Sequence, residues 1–337
     1  MKKNKLCIFI IFLITILLFS ISAFYSKDSI VTGGKEVDGL SNNRPIAVMV
    51  ENSSAARPQS GLHLADVVFE VVDEYGITRF LAIYCTKDAS IVGPVRSTRP
   101  YYAEIARGFD PIYAFFGTYP ECYKKVQDMG MYALSAMTDR SGCSSITAQA
   151  SYWRDWNRSS IQEHTAFMST IQLKQNAQKL GYPLEGNGIP FHFKSDAPEP
   201  ERGNTSNINI DFSTTVYSPR GFDVNFKYNK ASNSYLRYMA GYPHKDYESG
   251  QQINVKNVVV MITDIEGPID KYGHMYVRTI GSGTAFLFID GKAIQGSWER
   301  GSVYEPFTYK DNHGDIVLFN SGSTWVAMVQ GLDKISF

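Results

Sequence analysis

The amino-acid sequence predicts an α+β protein, with an N-terminal mixed α/β domain over 44–183 followed by a mostly antiparallel β domain over 208–337. Three observations carry this reading. In the first half, apolar strand-like runs alternate with segments of helical periodicity. In the second half, short runs such as "DVNFKYN", "SYLRYMAG" and "TAFLFIDG" alternate apolar with polar residues between turn residues, the period-2 pattern of half-buried strands. Between the two, the chain becomes rich in Pro, Gly and Asn, which marks a linker over 184–207. At 337 residues the chain is long enough for two cores. Its 21 Tyr and 20 Phe favour pleated, half-buried surfaces.

Taken in order, "RPIAVMVEN" gives the first strand, and "ADVVFEVVDEYGITRFLAIYC" two more around the turn at Tyr75-Gly76. "TRPYYAEIARGF" has Tyr102, Ile105 and Ala106 on one helical face, Pro100 in the first turn and Gly108 at the end. "DPIYAFFG" returns to strand, and "PECYKKVQDMG" is a short helix. Ala166–Gly181 is the clearest helix, with Thr165 as its expected cap. Asp290-Gly291 between two runs signals a type I′ hairpin, while the glycine-rich Gly281–Thr284 reads as a turn. Trp298 and Trp325 are expected in the core rather than as sugar platforms.

The first 26 residues read as a signal or anchor helix. Lys2, Lys3 and Lys5 precede an apolar run from Leu6 to Phe24, which is about the length that crosses a ~30 Å hydrocarbon core. The lysines stay inside, which places the folded part outside the membrane on a single N-terminal pass. Small residues near Ser22 and Ala23 offer a cleavage point, and cleavage would make the protein secreted. A polar, Gly-rich stalk follows over 27–43. Formal net charge is zero, so no global field draws nucleic acid, and no cofactor motif is present. The exported part carries three cysteines: Cys85 reads as a small buried hydrophobe, and Cys122 with Cys143 are candidates for a disulfide. No Cys-x-x-Cys or His spacing suggests a metal site.

Chemistry concentrates at "GPVRSTRPYYAEIARGF". Arg96 and Arg99 lie where a helix begins, and the positive end of the helix dipole opposes them by about 0.3–1 kcal/mol each. Helix preference did not select them. Either they bind an anion together with the helix-start N–H groups, or they pair internally with Glu70, Asp73 or Glu74. The loop "ARPQSGLHLAD" adds Arg57 and Gln59 as further donors for the same pocket, and Arg79 after the Tyr75-Gly76 turn is a further ligand-binding candidate, with a nearby carboxylate as its expected partner. His164 and Glu70 are the candidates for proton transfer. "RYMAGYPHKD", with His244 and Asp246, forms a hairpin turn or faces the first domain.

From Arg44 to Val329 the chain resembles the YerB-like family, bacterial lipoproteins built on a domain of unknown function. The resemblance rests on "GPVRSTRPYYAEIARGF", "WRDWNRSS", "YLRYMAGYPHKDYESGQQINVKNVVVM", "IGSGTAFLFIDGKAIQGSWER" and "NSGSTWVAMV". It implies a membrane-attached, extracytoplasmic protein, mostly of Gram-positive bacteria, and no reaction. Two departures stand out. "SISAFYSKD" lacks the cysteine through which lipoprotein members attach, and "SSIQEHTAF" around His164 differs from the Pro-His-Asn of relatives. The expected function is a membrane-anchored envelope binding or accessory protein whose arginines grip an anionic envelope polymer, or another envelope protein. The alternatives are an envelope hydrolase or transferase that uses them as a substrate clamp, and a structural module in which they pair internally.

Overall fold

The computed structural model describes residues 43–137, 142–218 and 220–337. The expected anchor and nearly all of the stalk lie outside these residues. Among the described residues no helix is long and apolar enough to cross a membrane.

The unbroken apolar run of "RPIAVMVEN" forms β1 (Ile46–Glu51), buried along its whole length. Ala47 and Met49 point into one core and Ile46, Val48 and Val50 into another, as alternation across a strand requires. A strand covered on both faces needs no polar side. β2 (Val67–Val72) and β3 (Thr78–Tyr84) share this character and pair antiparallel. β4 (Ile112–Phe115) and β5 (Tyr132–Ser135) extend the sheet in parallel beyond β1. The second half of the chain supplies β6 (Asn257–Ile262), β7 (Gly281–Ile289), β8 (Lys292–Arg300), β9 (Thr308–Asp311) and β10 (Thr324–Val329).

All ten form one sheet in the order β9-β8-β7-β6-β10-β2-β3-β1-β4-β5. The expected second fold unit is therefore less self-contained than its alternating pattern suggests. β10 lies parallel to both β6 and β2, with Val67 opposite Thr324 and Glu70 opposite Ala327, and joins the two halves by backbone hydrogen bonds. The smaller six-stranded sheet, built around Asn207–Ile210, Val224–Asn229 and Ser234–Met239, is antiparallel throughout. It covers one face of the large sheet, with Phe226 and Tyr235 in the same core as Trp325. The other face is covered by helix α1 (Pro100–Arg107) and by Phe191, Phe307 and Tyr309. The remaining helices are α2 (Pro120–Asp128), α3 (Ile146–Gln149) and α4 (Thr170–Lys179). With four helices among the described residues, the fold is mostly sheet.

Several local expectations need correction. Ala166–Met168 is a strand paired with Tyr152–Arg154, and the helix starts only after Ser169, whose hydroxyl caps it in place of Thr165. Cys122 and Cys143 are buried thiols and form no disulfide. Gly281–Thr284 is not a turn but the start of β7. The glycine there serves close approach: a Cβ on Gly283 would lie 2.5 Å from Trp298 Nε1 and 2.6 Å from Ile262 O. The hairpin at Asp290-Gly291 is present, both residues having left-handed φ of 53° and 68°. Trp298 and Trp325 are fully buried.

Gly296 in β8 tests the sheet register. A Cβ there would lie 1.9 Å from the Lys310 carbonyl oxygen of β9. Gly296→Ala is expected to cost about 1–3 kcal/mol by forcing those backbones apart. Chemical unfolding measures this, and an unchanged midpoint would contradict the β8–β9 pairing.

Candidate functional site

The arginine corner is positioned by backbone pairing. Arg96 N–H donates to Met49 O of β1 at 3.0 Å, and Arg96 O accepts from Phe116 N at 2.9 Å. The segment then turns into α1 with Arg99 as an extended N-cap residue and Pro100 in the first turn. This corner borders a cleft of about 920 Å³. Arg79, Arg96 and Arg99 line it together with Glu51, Asp73, Glu74, Glu121 and Asp270. Three arginines face five carboxylates, so the lining is net acidic. An arginine pocket for a bare anion is thus not what the side chains build.

Two of the arginines are already committed. Arg79 Nη1 lies 2.7 Å from Asp73 Oδ2 and donates to Ser97 O at 2.6 Å. Arg99 donates through Nε to Glu74 Oε1, lies 3.7 Å from Asp73 Oδ1, and donates through Nη1 to Thr98 O at 2.6 Å. Burial opposes the charge of Asp73, but Arg79 and Arg99 overcome it and hold the carboxyl below its usual range. Burial, with the Asp73 charge beside it, lifts Glu74 above that range. Burial likewise opposes the Arg99 charge, yet Asp73 and Glu74 raise its pKa. Arg96 differs. Its partners are Glu51 Oε1 at 3.8 Å and Glu163 Oε2 at 3.1 Å, and the Glu163 side chain is 62% exposed. Such a pair contributes about 0–1 kcal/mol, so Arg96 can be recruited by a ligand.

The opposite side of the cleft is aromatic. Tyr119 and His274 stack with ring centres 4.6 Å apart, and His274 Nδ1 lies 2.6 Å from Asp270 Oδ2. Burial pushes the Tyr119 hydroxyl up to about 12, so at neutral pH it remains a hydroxyl. Tyr75 and Tyr272 are exposed at 60% and 61%. Tyr75 adopts a left-handed φ of 59°, uncommon for a bulky residue and concentrated at functional positions.

The remaining predicted residues lie elsewhere. Gln59 and Glu70 are fully buried in a closed ring of hydrogen bonds that spans both halves of the chain. Arg237 donates to His244 Nδ1, which fixes the tautomer, because a guanidinium can only donate. His244 Nε2–H then donates to Gln59 Oε1 at 2.8 Å, and Gln59 Nε2 to Asn52 Oδ1 at 3.0 Å. Asn52 Nδ2 donates to Thr78 Oγ1 at 2.6 Å, and Thr78 Oγ1 to Glu70 Oε1 at 2.9 Å. The ring closes where Glu70 Oε2 accepts from Arg237 Nη2 at 2.7 Å and from Trp325 Nε1 at 3.0 Å. Burial, then the charges of Arg237 and Arg57, keep His244 far below the ordinary histidine range and neutral. Arg57 donates to Asn52 O and to Gly221 O, and stacks 4.6 Å over Phe222. The segment 241–250 does face the first half, through His244 and through Tyr247 N–H donating to Gln59 O at 2.8 Å. It meets the buried ring and not the cleft.

Neither proton-transfer candidate lines the cleft. Glu70 is enclosed in the ring, and His164 bonds Glu51 Oε2 through Nδ1 at 2.8 Å from the far side of β1. Among the described residues no group of three or more His, Cys, Asp or Glu is placed to hold a metal ion. Tyr75, Tyr119, Tyr272 and His274 escaped the sequence reading. The spacing of Asp270 and His274, four apart across a glycine turn, was the signal available for that loop.

Comparison with known proteins agrees with the resemblance. Residues 31–183 match the family described as protein of unknown function (DUF3048), N-terminal domain, and residues 213–326 match its C-terminal domain. The chain is similar to the "Putative lipoprotein YerB" of Bacillus subtilis (strain 168), with 30% identity over 309 residues, 91% of this chain and 87% of that one. It is also similar in structure to the crystal structure of the YerB protein from Bacillus subtilis. There the TM-score is 0.77 at 29% identity, covering 90% of this chain and 97% of the other. With both of its halves matched in order and the relative aligned over most of its length, the chain belongs to the YerB-like DUF3048 family.

Proposed function

We propose that the chain is an extracytoplasmic binding or accessory protein of the bacterial cell envelope, brought to the membrane by its N-terminal apolar run. The name of the Bacillus subtilis relative as a lipoprotein supports the location. The chain has no cysteine between Cys7 and Cys85, so here the apolar run itself serves as the anchor. The ligand occupies the cleft. It brings one anionic group to Arg96 and lays a polar, hydroxyl- or amine-bearing body against Tyr75, Tyr272, Glu121 and Asp270. The observation that carries this reading is the contrast among the three cleft arginines: Arg79 and Arg99 hold the wall in place, while Arg96 has one exposed partner, Glu163, and a 3.8 Å contact with Glu51. A preorganised wall with one recruitable cation suits recognition.

The test is retention of soluble envelope glycan and peptide fragments by the full-length protein in detergent. Arg96→Ala is expected to leave stability within about 0.5 kcal/mol of the original and to weaken retention about tenfold or more, the size of one lost charge-assisted hydrogen bond. A folded Arg96→Ala protein that retains the same fragments equally well would contradict the reading.

A further inference from the structure

Behind the cleft, on the far side of Glu51, lies a second and smaller pocket of about 110 Å³. Its polar lining consists of Arg57, Arg158, His164, Asn157 and Tyr247, with no carboxylate. This is the reverse of the large cleft, where carboxylates outnumber arginines.

Each cation is fixed by the fold. Arg158 stacks 3.5 Å from the Tyr247 ring centre, with Phe167 on its other contact at 5.0 Å. It donates to Pro58 O at 2.6 Å and to Ser60 Oγ at 2.8 Å, and its one ion pair is a distant 3.5 Å contact with Glu248. Arg57 is half-buried, and its hydrogen bonds go to Asn52 and to the Gly221 carbonyl, none of them an ionised partner. Burial, and then the neighbouring charge of Arg237, pull its pKa down to about 10 against the smaller opposing charges of Glu70 and Asp223. His164 spends Nδ1 on Glu51, leaving Nε2 for the pocket. That carboxylate fixes the ring proton on Nδ1, so Nε2 accepts from a protonated phosphate oxygen and donates only as imidazolium. Two guanidiniums, an imidazole and an amide line a volume suited to one small group, with no carboxylate among the lining residues.

We propose that this pocket binds a single phosphoryl group, held by Arg57, Arg158 and His164. Donors arriving from separate chain segments suit a tetrahedral oxyanion with several acceptor oxygens. The inference is independent of the ligand assigned to the large cleft. The two pockets share Glu51, which faces Arg96 on one side and His164 on the other.

The experiment is calorimetric titration of the full-length protein in detergent with inorganic phosphate. Glycerol 1-phosphate and dimethyl phosphate are added to separate a monoester from a diester source, with acetate as the trigonal control. The expected result is saturable binding of one phosphate per chain, weakened about tenfold or more in Arg158→Gln and unchanged in Lys124→Ala, an exposed cation outside both pockets. Tighter binding of the monoester or the diester than of inorganic phosphate then names the source. If Arg158→Gln does not fold, His164→Gln takes its place with the same expectation. Absence of binding by the original protein at tens of millimolar phosphate, equal binding of acetate, or binding that survives the pocket variants would overturn the proposal. Loss in Arg96→Ala alone would assign the phosphate to the cleft and equally overturn it.

Discussion

Glu70→Ala lowers the stability of the folded protein by about 3–5 kcal/mol, because it leaves the Arg237 guanidinium without its counter-charge in a fully buried site. Apart from loss of its partner Arg237, no other single polar change is expected to cost as much. Glu70 accepts from Thr78, Arg237 and Trp325, so its loss also orphans a hydroxyl and an indole N–H. Arg237→Leu alone should cost a similar amount, since it buries the carboxylate unpaired. The double variant should cost clearly less than the sum, because the two residues form one ring. Denaturant midpoints of the three variants measure this. Additive losses would show that the ring does not act as a unit, and a loss under 1 kcal/mol in Glu70→Ala would remove it as the tie between the two halves.

The second large effect separates the two corner arginines. Arg99→Ala is expected to destabilise by about 2–3 kcal/mol, since Asp73 and Glu74 then share Arg79 alone in a mostly buried wall. Arg96→Ala should cost almost nothing. The Arg99 deficit depends on pH with a definite sign. Asp73 is depressed in the folded protein, so its pairing contributes stability above its unfolded value near about 3.9 and loses it as pH falls through the folded value. Glu74 is raised, so its folded-state preference is for the neutral form, present below about 4.3 and lost as pH rises through the folded value. Both carboxyls are neutral at low enough pH, where Arg99 has nothing to pair. The stability gap between the original protein and Arg99→Ala should therefore be widest near pH 7 and narrow below about pH 4. A gap that stays constant from pH 7 to pH 3 would contradict the pairing.

Much of the first half was legible in the sequence because its signals are local. "IAVMV" and "RFLAIY" are apolar without interruption, and both strands are covered on both faces. Pro100 and Gly108 delimit α1 as expected. The union of the halves in one sheet was not legible. β10 reads like any buried strand, and nothing in "TWVAMV" says that it lies between β6 and β2. Ala166–Met168 misled because three apolar residues before a helix fit either period.

The site divided in the same way. Arg79, Arg96 and Arg99 come together as their common position around one corner suggested. Arg57, grouped with them by proximity in sequence, bonds Asn52 and Gly221 O instead, and Gln59, grouped likewise, bonds His244. That partnership crosses more than 170 residues of chain, and no spacing rule reaches so far. Arg237 carried one faint sign, an arginine at an inward position of an alternating strand.

Hydrogen–deuterium exchange of the full-length protein, with and without soluble envelope glycan and peptide fragments, puts the ligand cleft to trial. Protection is expected in the segments around Asp73–Arg79, Arg96–Arg99, Tyr119–Glu121 and Asp270–His274, and should be lost in Arg96→Ala. Bound fragments that leave those four segments unprotected, or protect them equally in the variant, would contradict the account.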